Sequence, residues 1–73
     1  MKIYNLTVFI EKDEDGNFIA VCPALQGCYT YGETLDEALL MIQDAIKLHI
    51  ESRIDNGEPI PEDVYSSQLK IAV

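Results

Sequence analysis

The hydrophobic pattern of this 73-residue chain changes period at Gly32-Glu33-Thr34, from alternation to helical spacing. Before that point apolar residues recur at every second position. In Lys2 to Glu11, Tyr4, Leu6, Val8 and Ile10 alternate with Ile3, Asn5, Thr7 and Phe9. A period of two with β-branched content predicts a strand with one strongly apolar face. Asp13-Glu14-Asp15-Gly16 is a polar turn whose glycine can take positive φ. Phe18 to Cys22 predicts a second strand, stopped by Pro23. A four-residue loop sets Lys12 opposite Asn17, Ile10 opposite Ile19 and Val8 opposite Val21. Opposed residues share a face. This register therefore groups Val8, Ile10, Ile19 and Val21, and leaves Ile3, Phe9, Phe18 and Ala20 on the other face. Ala24 to Gly27 reads as a connector, and Cys28 to Tyr31 as a short third strand closed by Gly32.

Beyond Gly32 the period is helical. Thr34-Leu35-Asp36-Glu37 is a capping box, and its two acids suit the positive start of a helix. Leu35, Ala38, Leu39, Ile42, Ala45, Ile46, His49, Ile50 and Arg53 fall on one stripe. Gly57 supplies the stop, and Pro59 and Pro61 forbid continuation. The predicted helix has about 21 residues and a length of roughly 31 Å. Ser67 to Val73 alternates again and predicts a final strand. The order β-β-β-α-β gives an α+β domain: a three-stranded antiparallel meander, a crossover helix on one sheet face, and a fourth strand parallel to the first. Such a crossover is right-handed. One helix covers one face of the sheet and leaves the other to solvent or a partner.

Thirteen acids against five bases give a formal charge of −8, which opposes binding to a polyanion. No apolar run approaches the roughly 18 residues of a membrane span, and the N-terminus alternates where a signal peptide would be uniformly apolar. A soluble cytoplasmic protein of one domain is the expectation. Cys22 and Cys28 read as buried thiols in a reducing compartment, since two cysteines do not make a disulfide scaffold. One histidine and a six-residue cysteine spacing do not make a zinc site.

Catalytic chemistry finds little support in the pattern. A nucleophile needs an adjacent base, but Ser52 is at the helix end, Ser66 and Ser67 lie in a polar stretch before the last strand, His49 sits on the apolar helix stripe, and no glycine-rich phosphate loop is present. A two-metal nuclease needs acids converging from strand interiors, yet the first run offers Asn5 and Thr7 there. No enzyme, cofactor or metal is expected. The acids Glu11, Asp13, Glu14 and Asp15 gather at the hairpin, as a solvated turn or a contact for a basic partner. With Phe9 and Phe18 they are the candidate partner-binding residues. Met41 and Leu48, seven residues apart and off the main stripe, and Ile3 are candidates for self-association into a dimer or higher homo-oligomer.

Several segments resemble one family. Phe9 to Phe18 is similar to the first hairpin of HicB-like antitoxins. So are Val21-Cys22-Pro23-Ala24-Leu25-Gln26-Gly27-Cys28 with Thr30 and Gly32-Glu33-Thr34, the helix start Thr34 to Ala38, and the exit Asn56 to Glu62. The likeness spans about residues 4 to 63. It implies a partial RNase H-like fold of the same element order, without nuclease carboxylates, that binds and blocks HicA, a small basic toxin that cleaves mRNA. Gln26 stands where the family usually has proline. Many members add a C-terminal DNA-binding domain; residues 1–73 are expected to be a single domain without one, so direct operator binding is not carried over. Two functions follow as expectations: an antitoxin that occludes a HicA-like toxin, or a structural or regulatory homo-oligomeric module with no toxin.

Overall fold

A computed structural model describes residues 2–73. Its elements are β1 (Phe9–Lys12), β2 (Phe18–Val21), β3 (Tyr29–Gly32) and α1 (Leu35–Asp55). The strands form one antiparallel sheet in the order β1-β2-β3, and α1 lies across one face, chiefly over β2 and β3. The meander, the single helix and the single covered face agree with the sequence pattern.

The register differs from the expected one by a residue. Phe9 pairs with Val21, Ile10 with Ala20, Glu11 with Ile19 and Lys12 with Phe18. Asp13 is the reason. Its N–H donates to the Asn17 carbonyl at 2.8 Å, and its Oδ1 accepts from the N–H groups of Asp15 and Asn17 at 3.0 and 2.8 Å. Asp13 and Asn17 thus close the ladder around a three-residue loop, with Gly16 at φ +87°. An odd loop turns over every side chain of the second strand relative to an even one. Phe18 and Ala20 therefore share the helix-covered face with Val8 and Ile10, and Ile19 and Val21 lie on the open face with Phe9.

Two predicted strands are not formed as expected. The first is confined to Phe9–Lys12, and residues 2–8 lie outside the sheet. Their neighbour is missing: β2 ends at Val21, and Pro23 has no N–H to continue a ladder. Residues 67–73 form no strand, and their Leu69, Ile71 and Val73 are exposed. The tail meets the N-terminal segment through one backbone bond, Asp63 N–H to the Asn5 carbonyl at 3.1 Å, and one from Asn5 N–H to Glu62 Oε1 at 3.2 Å. No ladder follows, so a crossover hand has no fourth strand to define it.

The core is small. Ala20, Cys22, Leu25, Cys28, Ala38 and Ile42 are buried, with Leu6, Val8, Ile10, Phe18, Ala45 and Ile46 packed around them. Leu25, in the stretch read as a connector, is among the largest fully buried side chains. Two consecutive turns aim it inward: Leu25 N–H donates to the Cys22 carbonyl and Cys28 N–H to the Leu25 carbonyl, both at 3.1 Å, and Gly27 takes φ +78°. Position three of the second turn is left-handed, as a type II turn requires.

The helix start keeps the Thr34 half of the capping box, and the stop follows the sequence. Thr34 Oγ1 accepts from Glu37 N–H at 3.1 Å. At the far end Glu58 N–H reaches the Arg53 carbonyl at 2.8 Å and Gly57 N–H the Ile54 carbonyl at 3.1 Å, a Schellman motif with Gly57 at φ +69°.

The helix is brought onto the sheet at Gly32. A Cβ there would stand 2.6 Å from Ala38 N and 3.0 Å from Ala38 Cα, both backbone atoms that cannot rotate away. Gly32→Ala should therefore destabilise the fold by about 1–3 kcal/mol, the range for overpacking a tight contact. The check is the urea midpoint at constant slope. An unchanged midpoint would show that the first turn of α1 slides freely over β3.

Candidate partner-binding surface

The antiparallel meander places the β1–β2 hairpin tip and the β3–α1 junction at the same end of the sheet. Acidic residues from both converge there. Asp13, Glu33 and Glu37 line a cleft of about 440 Å³ together with Asn17, Tyr31 and Gly32. Glu14 and Asp15 stand exposed beside it on the turn, and Asp36 opens the first turn of α1. Among these residues nothing basic intervenes; the nearest cation in sequence, Lys12, stacks its Nζ 5.6 Å from the Phe18 ring centroid on the other side of the sheet. Carboxylates gathered at one end of the molecule raise a negative field there. Among the described residues no group of three or more His, Cys, Asp or Glu side chains is arranged to hold a metal ion.

The acidic end adjoins the open sheet face. Phe9 is 52% exposed there, and Glu11 lies on the same face. Ile19 and Val21 fill the middle of it. Tyr29 and Tyr31, each 56% exposed, close the far side with their rings edge-to-face at 6.0 Å. The result is an apolar and aromatic strip bordered by acids, the composition of an interface centre with a charged rim.

The candidates named from the sequence divide accordingly. Phe9, Glu11, Asp13, Glu14 and Asp15 are brought to one region. Phe18 is not, because the three-residue loop turns it onto the core face. Leu48 lines one cleft with Tyr29 on the flank of α1 toward β3, and Met41, two helical turns earlier, is exposed. Ile3 is exposed but belongs to the N-terminal segment, whose Tyr4, Leu6 and Val8 line a groove on the opposite flank with Ile46 and Ile50. Glu33, Glu37, Tyr29 and Tyr31 are functional candidates that linear reading passed over. The meander itself carried the signal for Glu33 and Glu37, since it returns the third strand to the end where the first hairpin turns.

The two cysteines are free and buried on the helix face. Burial pushes both thiols above their ordinary pKa. Backbone N–H groups of Leu25 and Ala24 partly offset this for Cys22, and the Asp63 carboxylate adds to it; for Cys28 the neighbouring Cys22 adds to it. A thiol that holds its proton more tightly when folded stabilises the fold fully below the unfolded value of about 8.5. That contribution is lost as pH rises through the higher folded value. Native protein should thus resist alkylation at pH 7. Its urea midpoint should fall at alkaline pH, and the fall should be shallower in a Cys22→Ala/Cys28→Ala variant.

Residues 6–71 match the family model described as the HicB_like antitoxin of bacterial toxin-antitoxin systems. A UPF0150 protein of Synechocystis is 47% identical over 73 residues, covering 99% of this chain and 92% of the relative. A UPF0150 protein of Thermoplasma acidophilum is 51% identical over 57 residues, covering 78% and 83%. A 14.9 kDa protein from the rep-hol intergenic region of Haemophilus phage HP1 is 40% identical over 55 residues, which is 75% of this chain and 41% of the phage protein. No solved structure matches the chain.

Proposed function

This chain belongs to the HicB-like antitoxin family, and we propose that it neutralises a small basic, HicA-like toxin that cleaves RNA, by covering the face with which the toxin grips its substrate. The observation that carries this reading is the acidic end of the sheet beside an open apolar face. A protein that binds RNA presents a basic surface. An acidic rim competes for that surface, and an apolar centre holds it once captured. Blocking of this kind needs no catalysis, so the chain acts as a binding protein, not an enzyme, and without a cofactor. Direct nucleic-acid binding is not part of the proposal, because eight excess negative charges oppose it. Among the described residues no helix is long and apolar enough to cross a membrane, which suits action in the cytoplasm.

Self-association belongs to the same proposal. The chain exposes 6032 Å², against about 4,500 Å² for a compact monomer of its mass. Its radius of gyration is 13.9 Å, where about 11 Å is usual for this length. The excess lies on the tail and on the open faces, and is enough for a standard contact of about 800 Å² per partner. A homo-oligomeric module without a toxin rests on this observation alone.

The test is co-expression with any small basic protein found to be encoded beside the gene. The neighbour should arrest growth alone and be harmless with this chain. Replacing Asp13, Glu14 and Asp15 by their amides should slow association and flatten its salt dependence. Phe9→Ala should chiefly speed dissociation, by about thirtyfold or more, as loss of a central aromatic anchor does. A toxic neighbour that this chain neither binds nor rescues would overturn the antitoxin reading.

A further inference from the structure

Resting on the self-association just described, we propose that two copies join edge to edge through β3, Tyr29 of one pairing with Tyr31 of the other, to make a continuous six-stranded sheet. The hydrogen-bond pattern assigns the edge. Cys22 N–H donates to the Cys28 carbonyl at 3.0 Å, and Thr30 pairs with Ala20 and Gly32 with Phe18. Bonded pairs alternate along an antiparallel ladder. The backbone groups of Cys28, Thr30 and Gly32 are therefore turned toward β2, and those of Tyr29 and Tyr31 toward the free edge. A two-fold axis at Thr30 sets Tyr29 against Tyr31 of the second copy, and the reverse. Those two pairs form four backbone hydrogen bonds from a four-residue strand, which the other symmetric registers do not reach.

A second copy suits this edge better than another partner does. β3 reads Tyr-Thr-Tyr-Gly, with none of the charges, prolines or bulges that guard a natural edge against its own kind. The β1 edge differs. It carries Glu11 and Lys12, and residues 63–67 of its own tail run beside it. Pairing at β3 also brings four tyrosine rings together on the open face, where aromatic cross-strand pairs are favourable. On the helix face it turns the β3-side flanks of two α1 helices toward each other, with Met41 45% and Leu48 67% exposed. The acidic hairpin tips are left at the outer strands, free for a toxin on each copy.

Charge gives the contact a distinctive signature. Each copy carries −8, so salt should screen their mutual repulsion and tighten the dimer. The same salt should weaken binding of a basic toxin.

Analytical ultracentrifugation of the full chain tests the geometry. The wild type should sediment at twice 8.2 kDa. Tyr29→Lys/Tyr31→Lys places like charges opposite each other twice, and should raise the dimer dissociation constant by about tenfold or more. Tyr29→Lys/Tyr31→Glu places opposite charges there, and should bring it back toward the wild-type value. A Lys47→Gln control, on the opposite flank of α1, should leave it unchanged. Circular dichroism and the urea midpoint establish that each variant is folded; if the paired variants unfold, Leu48→Lys, on the adjoining helix flank, must weaken the dimer in their place. A wild-type monomer at high micromolar concentration defeats self-association and this proposal together. A wild-type dimer that tolerates the double lysine, or that rejects Lys-Glu as it rejects Lys-Lys, leaves self-association standing and overturns the β3 edge.

Discussion

Asp13 decides which half of the sheet is inside. Its carboxylate accepts two backbone N–H groups and its own N–H closes the ladder on Asn17. Together they fix a loop with an odd number of residues. In a sheet whose side chains alternate with a period of two, parity is the whole of the facing problem. With the odd loop, Phe18, Ala20 and Cys22 look toward α1, and Ile19 and Val21 look away. The second hairpin inherits that choice, because Cys22 pairs with Cys28 and Ala20 with Thr30. The aromatic open face is a consequence of the same turn, since Tyr29 and Tyr31 follow Val21 and Ile19.

The residues that Asp13 turns inward are small, and the helix comes correspondingly close. Ala20, Ala38 and Gly32 offer almost no side chain at the sheet–helix contact. Thr30 Oγ1 donates to the Ala38 carbonyl at 3.3 Å, stitching the same turn to the sheet. Bulk is supplied from elsewhere: Ile42 from the next helical turn, and Leu25 from the double turn between β2 and β3. A sheet of three four-residue strands cannot enclose its core alone, and a loop side chain completes it. This also explains why two cysteines sit inside. They are the small apolar residues that fit beneath a helix this near.

Much of this architecture was legible in the sequence because it is written in local signals. The helix announces itself by Thr34, by the stripe through Ala38 and Ile42, and by Gly57, and each acts within a few residues of itself. The three strands are legible for the same reason. The hairpin parity was not, because the hydrophobic alternation permits both answers: Ile19 and Val21 are as apolar as Phe18, Ala20 and Cys22. Only the hydrogen bonds of Asp13 distinguish them. Leu25 was passed over because inward-facing loop residues carry no periodicity. Of the candidate surface, the hairpin acids and Phe9 could be named from the chain, whereas Glu33, Glu37 and the two tyrosines needed the meander to be folded up.

The tail presents the opposite case, a segment whose local pattern is clear and whose place in the fold is not. Leu69, Ile71 and Val73 alternate as a strand should, and they remain exposed. Alternation specifies only that a segment would have two unlike faces; it does not supply the edge that would pair with it. Here the approach to β1 begins at Asp63 and Asn5, through a backbone bond and a glutamate side chain, after two prolines that bring no N–H of their own. The family match nevertheless runs to residue 71, so the exposed tail is part of what relatives share and not an appendage of this chain. One copy leaves this alternating segment uncovered. The separation of charge from adhesion follows the same division. Acids collect where the turns are, and apolar groups collect where the backbone is still open to partners.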